Sequence, residues 1–200
     1  MKKILLAGLL LLSGYTVSAQ AVTHYRWPID YFSTTPNEVS RWHDHTAQCG
    51  YLCRYDGVAN PGAAGHPGTD IRSNGTVTAV RMAAHGNIYY KQDGCNNYDT
   101  RKECVGYGNH VRAQHADGKV SISAHLEKWS VSPIVSALCG YQVGIMGNSG
   151  SSTNTHLHFE LWANQSIGQR IDAFGGAYSG LVYWVSQNEN GYGKPSFRCE

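Results

Sequence analysis

From Ile71 to Trp162 the chain alternates short runs of β-branched, aromatic and small residues with turn signals, and this alternation constrains its fold more than any other feature. The runs at 76–81, 86–91, 108–114, 120–126 and 155–162 read as strands. Asn74-Gly75 and Asp117-Gly118 are turn dipeptides, and the second fits a hairpin between two of the runs. The stretch 60–68, NPGAAGHPG, is loop, and so is the polar stretch 147–152, GNSGSS. Residues 94–106 read as a longer loop flanked by cysteines, and 131–139 as a short turn or helix. With 23 glycines, 13 tyrosines and few long helical patterns, the expected class is mainly β. We expect one domain of short strands joined by turns and loops.

Strand geometry then sorts side chains by face, because successive residues point to opposite sides. In THLHFELW, Leu157, Phe159 and Leu161 share the core face, and His156, His158, Glu160 and Trp162 share the other. In ISAHLEKW, strict alternation puts Ile122, Ala124 and Leu126 on one face and Ser121, Ser123 and His125 on the other. In HPGTD, glycine and proline argue against a helix, so His66 and Asp70 sit on a bend running into a strand at Ile71. Two imidazoles and one carboxylate are a ligand set suited to a catalytic zinc, which keeps a fourth position open. Two further histidines nearby could move protons.

Residues 1–19 read as an export signal: Lys2 and Lys3, an apolar run too short to span a bilayer, and Val17-Ser18-Ala19 as a cleavage site. Cleavage before Gln20 or before Val22 would fit. No cysteine follows the apolar run, so no membrane anchor is expected after cleavage. Removing the two lysines takes the formal charge from +2 to zero, and there is no basic tract, which argues against nucleic-acid binding. The remaining 20–200 suit a single domain, with the motif-bearing core at about 60–165.

All six cysteines follow the signal, and an exported chain favours disulfides. The expected pairs are Cys95–Cys104 across a hairpin, Cys49–Cys53 locally, and Cys139–Cys199 tying down the C-terminus. A cysteine zinc site fits poorly, since Cys-x3-Cys occurs once with no matching second pair.

The order His-x-Gly-x-Asp, Ala-His-Leu, then Gly-Asn-Ser-Gly-Ser-Ser-x-x-x-His-Leu-His-Phe-Glu resembles the lysostaphin-type zinc metallopeptidases, over roughly residues 60–165. The resemblance implies a zinc endopeptidase that cuts peptide crosslinks or cross-bridges of bacterial cell wall, with a groove over a mainly antiparallel sheet. It implies one zinc per chain held by His66, Asp70 and His158, with His125 and His156 serving catalysis. It leaves open which histidine is the general base, and whether the bond is a glycine-rich bridge or a D-residue crosslink.

Glu160, on the predicted face of His158, is a candidate to accept that ligand's second N–H. The 148–152 loop is a candidate groove wall. Tyr51 and Tyr55 are candidates for the tyrosine that such enzymes place near the oxyanion. His43 and His45 form a second His-x-His that lacks a pattern around it, and His24, His85, His110 and His115 lack evident partners. Only residues 20–65 separate the signal from His66, which leaves little room for the long blocking pro-segment of many relatives. The expected protein is a monomer, periplasmic or extracellular, acting on peptidoglycan peptides. The rival readings are an inactive wall-binding or regulatory module of the same fold, and a secreted zinc protease acting on Gly-rich proteins.

Overall fold

The computed structural model describes residues 23–30, 39–41, 66–72, 77–166, 170–174, 183–185 and 196–200. The strands are β1 (Val39–Arg41), β2 (Thr69–Ile71), β3 (Ala79–Arg81), β4 (Gly86–Gln92), β5 (Asn109–His115), β6 (Val120–Leu126), β7 (Ser136–Ala137), β8 (Gln142–Ile145), β9 (Leu157–Trp162) and β10 (Arg170–Ile171). There is no helix among the described residues, and 131–139 carries the two-residue strand β7 rather than a helix. The order β1-β2-β9-β6-β5-β4-β7 makes the main sheet, β10 also pairs with β9, and β3 and β8 form a separate pair. Every pairing between these strands is antiparallel. At the β5–β6 hairpin, Gly118 takes a φ of +80°, the left-handed conformation that the Asp117-Gly118 turn signal anticipates.

One face of the sheet packs on the main core. Ile71, Leu157, Phe159, Leu161, Val111 and Ala113 meet Trp27, Phe174 and Trp184 from the chain's outer segments. The aromatic contacts are close: Trp27 and Phe159 each lie 5.2 Å from the Trp184 ring. Val120, Ile122, Ala124 and Trp162 form a second, smaller cluster. Opposed residues of antiparallel strands share a face. Val120 lies opposite Trp162, Ile122 opposite Glu160 and Ala124 opposite His158, so this cluster lies on the His158 face. That corrects the expected sorting of β6: Ile122 and Ala124 do not share a face with Leu126, which belongs to the main core.

The exchange happens at a bulge. Ser123 pairs with Val111 and Leu126 with Asn109, so two residues of β6, Ala124 and His125, face one residue of β5. His125 takes a φ of +60°, where non-glycine residues are uncommon. The bulge breaks the alternation and turns His125 toward the face that strict alternation would deny it.

The Cys95–Cys104 and Cys139–Cys199 disulfides form as expected, while Cys49 and Cys53 lie outside the described residues. Cys139–Cys199 closes a span of 60 residues. By loop-closure entropy such a crosslink is worth about 4 kcal/mol. Replacing both cysteines by alanine is expected to lower unfolding free energy by up to that amount in urea titration, and replacing Cys95 and Cys104, which close only 9 residues, by up to about 2.6 kcal/mol.

Candidate metal centre

The register of the sheet builds the centre. Asp70 of β2 lies opposite His158 of β9, and directly opposed residues project side by side from one face. His66 arrives from the loop that runs into β2. That loop passes so close to β9 that a Cβ on Gly68 would sit 2.4 Å from the Phe159 carbonyl oxygen. Glycine in HPGTD is therefore a packing requirement, and it lets His66 reach the face that Asp70 shares with His158.

Three donor atoms converge. His158 Nδ1 lies 2.8 Å from Asp70 Oδ1, and His66 Nε2 lies 3.1 Å from the same oxygen and 3.2 Å from His158 Nδ1. His158 Nε2 lies 2.9 Å from Glu160 Oε1, so it carries the proton of that bond and Nδ1 is the free donor of the neutral ring. Two imidazole lone pairs and a carboxylate oxygen at such separations repel one another unless a cation lies among them. Zinc bound at about 2.0–2.2 Å sets tetrahedral donors about 3.3 Å apart, so the set fits that ion. The other described cluster of metal-type residues, Cys95, Asp99 and Cys104, offers no thiolate, because its sulfurs are joined.

Electrostatics mark the same place. Burial alone would raise the Asp70 carboxyl, but hydrogen bonds from His156, His158 and His66 hold it far below the carboxylate range. Burial likewise opposes charge on His158, yet Asp70 and Glu160 outweigh it and raise the metal-free imidazole to about 9. Glu160 is fully buried and lowered to about 2, burial being overcome by His158, Tyr107 and Trp162. Its Oε1 accepts from Tyr107 and His158, and its Oε2 from Trp162 Nε1 and Arg170 Nε. The carboxylate expected to support His158 is thus itself locked in place by four donors.

His125 and His156 stand next to the three donors and share one arrangement. His125 Nδ1 donates to the Ser149 carbonyl at 2.8 Å, and His156 Nδ1 to the Asn154 carbonyl at 2.7 Å. Neither Nδ1 is available to the cavity, and His156 Nε2 lies 3.4 Å from Asp70 Oδ1. The two rings are 4.8 Å apart, and His125 is 5.7 Å from His158. Burial first, then the neighbouring His156 and His158, lower His125 to about 3, so it is neutral.

All five predicted residues line one cavity of about 420 Å³, with Tyr107 and residues 151–155 as further walls. The wall loop is pinned from behind: Ser149 Oγ donates to the Leu126 carbonyl and accepts from Asn109 N. His85 and His115 pair instead with each other's neighbourhood, away from this cavity; His115 bonds the His85 carbonyl and Ser121 Oγ.

Residues 64–172, more than half of the chain, match the model of peptidase family M23. The chain belongs to that family. The M23 chain carries the antiparallel sheet described above. It is 37% identical over 87 residues to the DD-carboxypeptidase/endopeptidase Mpg of Neisseria meningitidis, a match covering 44% of this chain and 18% of Mpg. It is 33% identical over 108 residues to outer membrane antigenic lipoprotein B of Histophilus somni, covering 54% of this chain and 28% of that protein. The chain thus spans less than a third of either relative. The structure of Helicobacter pylori Csd3 superposes with a TM-score of 0.50 at 17% identity, over 82% of this chain and 36% of Csd3, and shares the fold.

Sequence reasoning missed Tyr107. Its only signal is a tyrosine between Gly106 and Gly108, just ahead of a strand. Its ring lies 5.8 Å from His158, and its hydroxyl donates to Glu160. Tyr51, Tyr55, His43 and His45 lie outside the described residues.

Proposed function

We propose that residues 20–200 form one exported zinc-peptidase domain, freed from a signal at 1–19, that hydrolyses peptide crosslinks or cross-bridges of bacterial peptidoglycan. His66, Asp70 and His158 hold one zinc ion in this reading. The observation that carries it is the convergence of the His66, Asp70 and His158 donors in one cavity with two more histidines, His125 and His156, each held by its Nδ1–H on a backbone carbonyl.

Zinc, when bound, supplies Lewis acidity that brings the pKa of water toward neutrality and polarises a peptide carbonyl. The residues supply the proton handling. A neutral imidazole with a free Nε2 takes a proton from the attacking water, and its conjugate acid returns one to the leaving amine. His156, just before β9, and His125, on β6, stand beside the donors, and the histidine that takes the proton is the one that returns it. Glu160 keeps His158 in one tautomer and one orientation. The small side chains of Ser151 and Ser152 leave room beside the histidines for an extended peptide.

The similar Neisseria protein is named a carboxypeptidase and endopeptidase, and the Histophilus one an outer membrane lipoprotein, which supports an envelope setting. Purified peptidoglycan incubated with the zinc-loaded mature protein is expected to release fragments with new peptide termini, and a chelator should stop the release. Mass analysis of the fragments identifies the bond. Intact wall after incubation, with a Gly-rich protein cleaved in parallel, would replace the wall substrate by a protein one.

A further inference from the structure

The sheet face that carries the metal centre continues away from it and bears a positive charge with no counter-charge. Arg112 of β5 lies opposite Ile122 of β6, which lies opposite Glu160 of β9. Arg112 is therefore on the Glu160 face, two strand spacings or about 10 Å across the sheet. Three rings surround its half-buried side chain: the guanidinium carbon is 4.9 Å from the centre of Tyr90 and 5.6 Å from those of Tyr107 and Trp162. Its buried Nε has no acceptor. Among the described residues no carboxylate pairs with it, and the acid nearest along this face, Glu160, is already saturated by its four donors.

A second unpaired group adjoins it. His110 stacks on Tyr90 at 5.2 Å and tilts against Tyr107 at 5.3 Å. Its Nδ1 donates to the Gly108 carbonyl, while its buried Nε2 has no partner. Burial lowers His110 to about 4, so it adds no charge at ordinary pH and Arg112 is the cation of this patch.

A guanidinium withdrawn from water without an anion is costly, and one caged by aromatic faces is already oriented to present its donor fork. We propose that Arg112, held by Tyr90, Tyr107 and Trp162, is a subsite for a free carboxylate of the peptide substrate. The inference rests on the peptidase reading above. Tyr107 joins the two places, since it lines the metal-centre cavity on one side and packs on Arg112 on the other. His158 lies two residues from Glu160 along β9, which puts Arg112 about 12 Å from it across the sheet; an extended peptide advances about 3.3–3.6 Å per residue, so the carboxylate belongs about three to four residues from the reacting bond.

The test uses two wall-type peptides that differ only in a free carboxylate or its amide at that distance. Zinc-loaded wild type is expected to favour the acid about tenfold in kcat/KM, through KM, and the preference should shrink with salt. Arg112→Gln should abolish the preference, so that acid and amide are cleaved at one rate, while Arg112→Lys keeps part of it. A readout without turnover runs alongside: the buried Arg112 Nε–H gives its own NMR signal, which the acid peptide should shift and the amide should not. If neither peptide is cleaved but the acid moves that signal, the peptidase reading falls and the carboxylate subsite stands. Equal cleavage of both peptides, or an Arg112 signal moved equally by both, overturns the subsite.

Discussion

His158→Ala is expected to leave the purified protein without zinc and without measurable peptidase activity. The substitution removes one of three convergent donors, and it also withdraws one of the two partners of Glu160 Oε1 and a partner of Asp70 Oδ1. Taking one member from a buried charged network costs about 3–5 kcal/mol, so the variant should also melt well below the wild type. Because lost folding alone would silence the enzyme, Asp70→Asn serves as the near-isosteric companion. It keeps the side chain's shape and removes the charge that balances the metal.

The deciding measurements are zinc per chain after dialysis and the thermal midpoint with and without added zinc. Wild type should gain stability with zinc concentration, since a ligand that binds only the folded state stabilises it by mass action. Neither variant should respond. A folded His158→Ala protein that keeps one zinc per chain would remove His158 from the ligand set. The sign of the pH effect follows from the raised His158 value of about 9: zinc must displace that proton, so uptake by the wild type strengthens as pH rises toward 9.

His156→Ala should behave in the opposite way toward metal. Zinc content and thermal midpoint should stay near wild type, while kcat falls by about 10²–10⁴, the usual worth of a positioned acid or base. The ring is anchored by one hydrogen bond to the Asn154 carbonyl and a longer contact to Ser152, and its 3.4 Å contact to Asp70 is the weakest of the three that oxygen makes with histidines, so Asp70 keeps His66 and His158. His125→Ala should cost a similar factor. If the two histidines act in one step, the double variant should lose far less than the product of the single losses. A zinc-loaded His156→Ala enzyme with unchanged kcat would take His156 out of the chemistry.

The sequence alone determined the pairing of residue type with element. Alternating runs and turn dipeptides require antiparallel strands, and HPGTD, SAHLE and THLHFE carry every donor that meets in the cavity. That much is local, because period, glycine and histidine can be read along one segment. Export context pointed to disulfides, but six cysteines allow 15 pairings, and only the fold chose Cys95–Cys104 and Cys139–Cys199 among them.

Four further things were decided only in three dimensions. Register made Asp70 and His158 neighbours, since a slip of one residue would send them to opposite faces. A bulge with a left-handed His125 reversed the alternation of β6, so the residue reached the site by breaking the rule used to assign its face. Burial turned Glu160 from an ordinary strand carboxylate into the hub of four hydrogen bonds. Tyr107 and Arg112 joined the site face through contacts across three strands, which no local pattern encodes. The physical reason is common to all four: side-chain direction in a sheet depends on which strand lies alongside and in what register, and both follow from packing the whole chain.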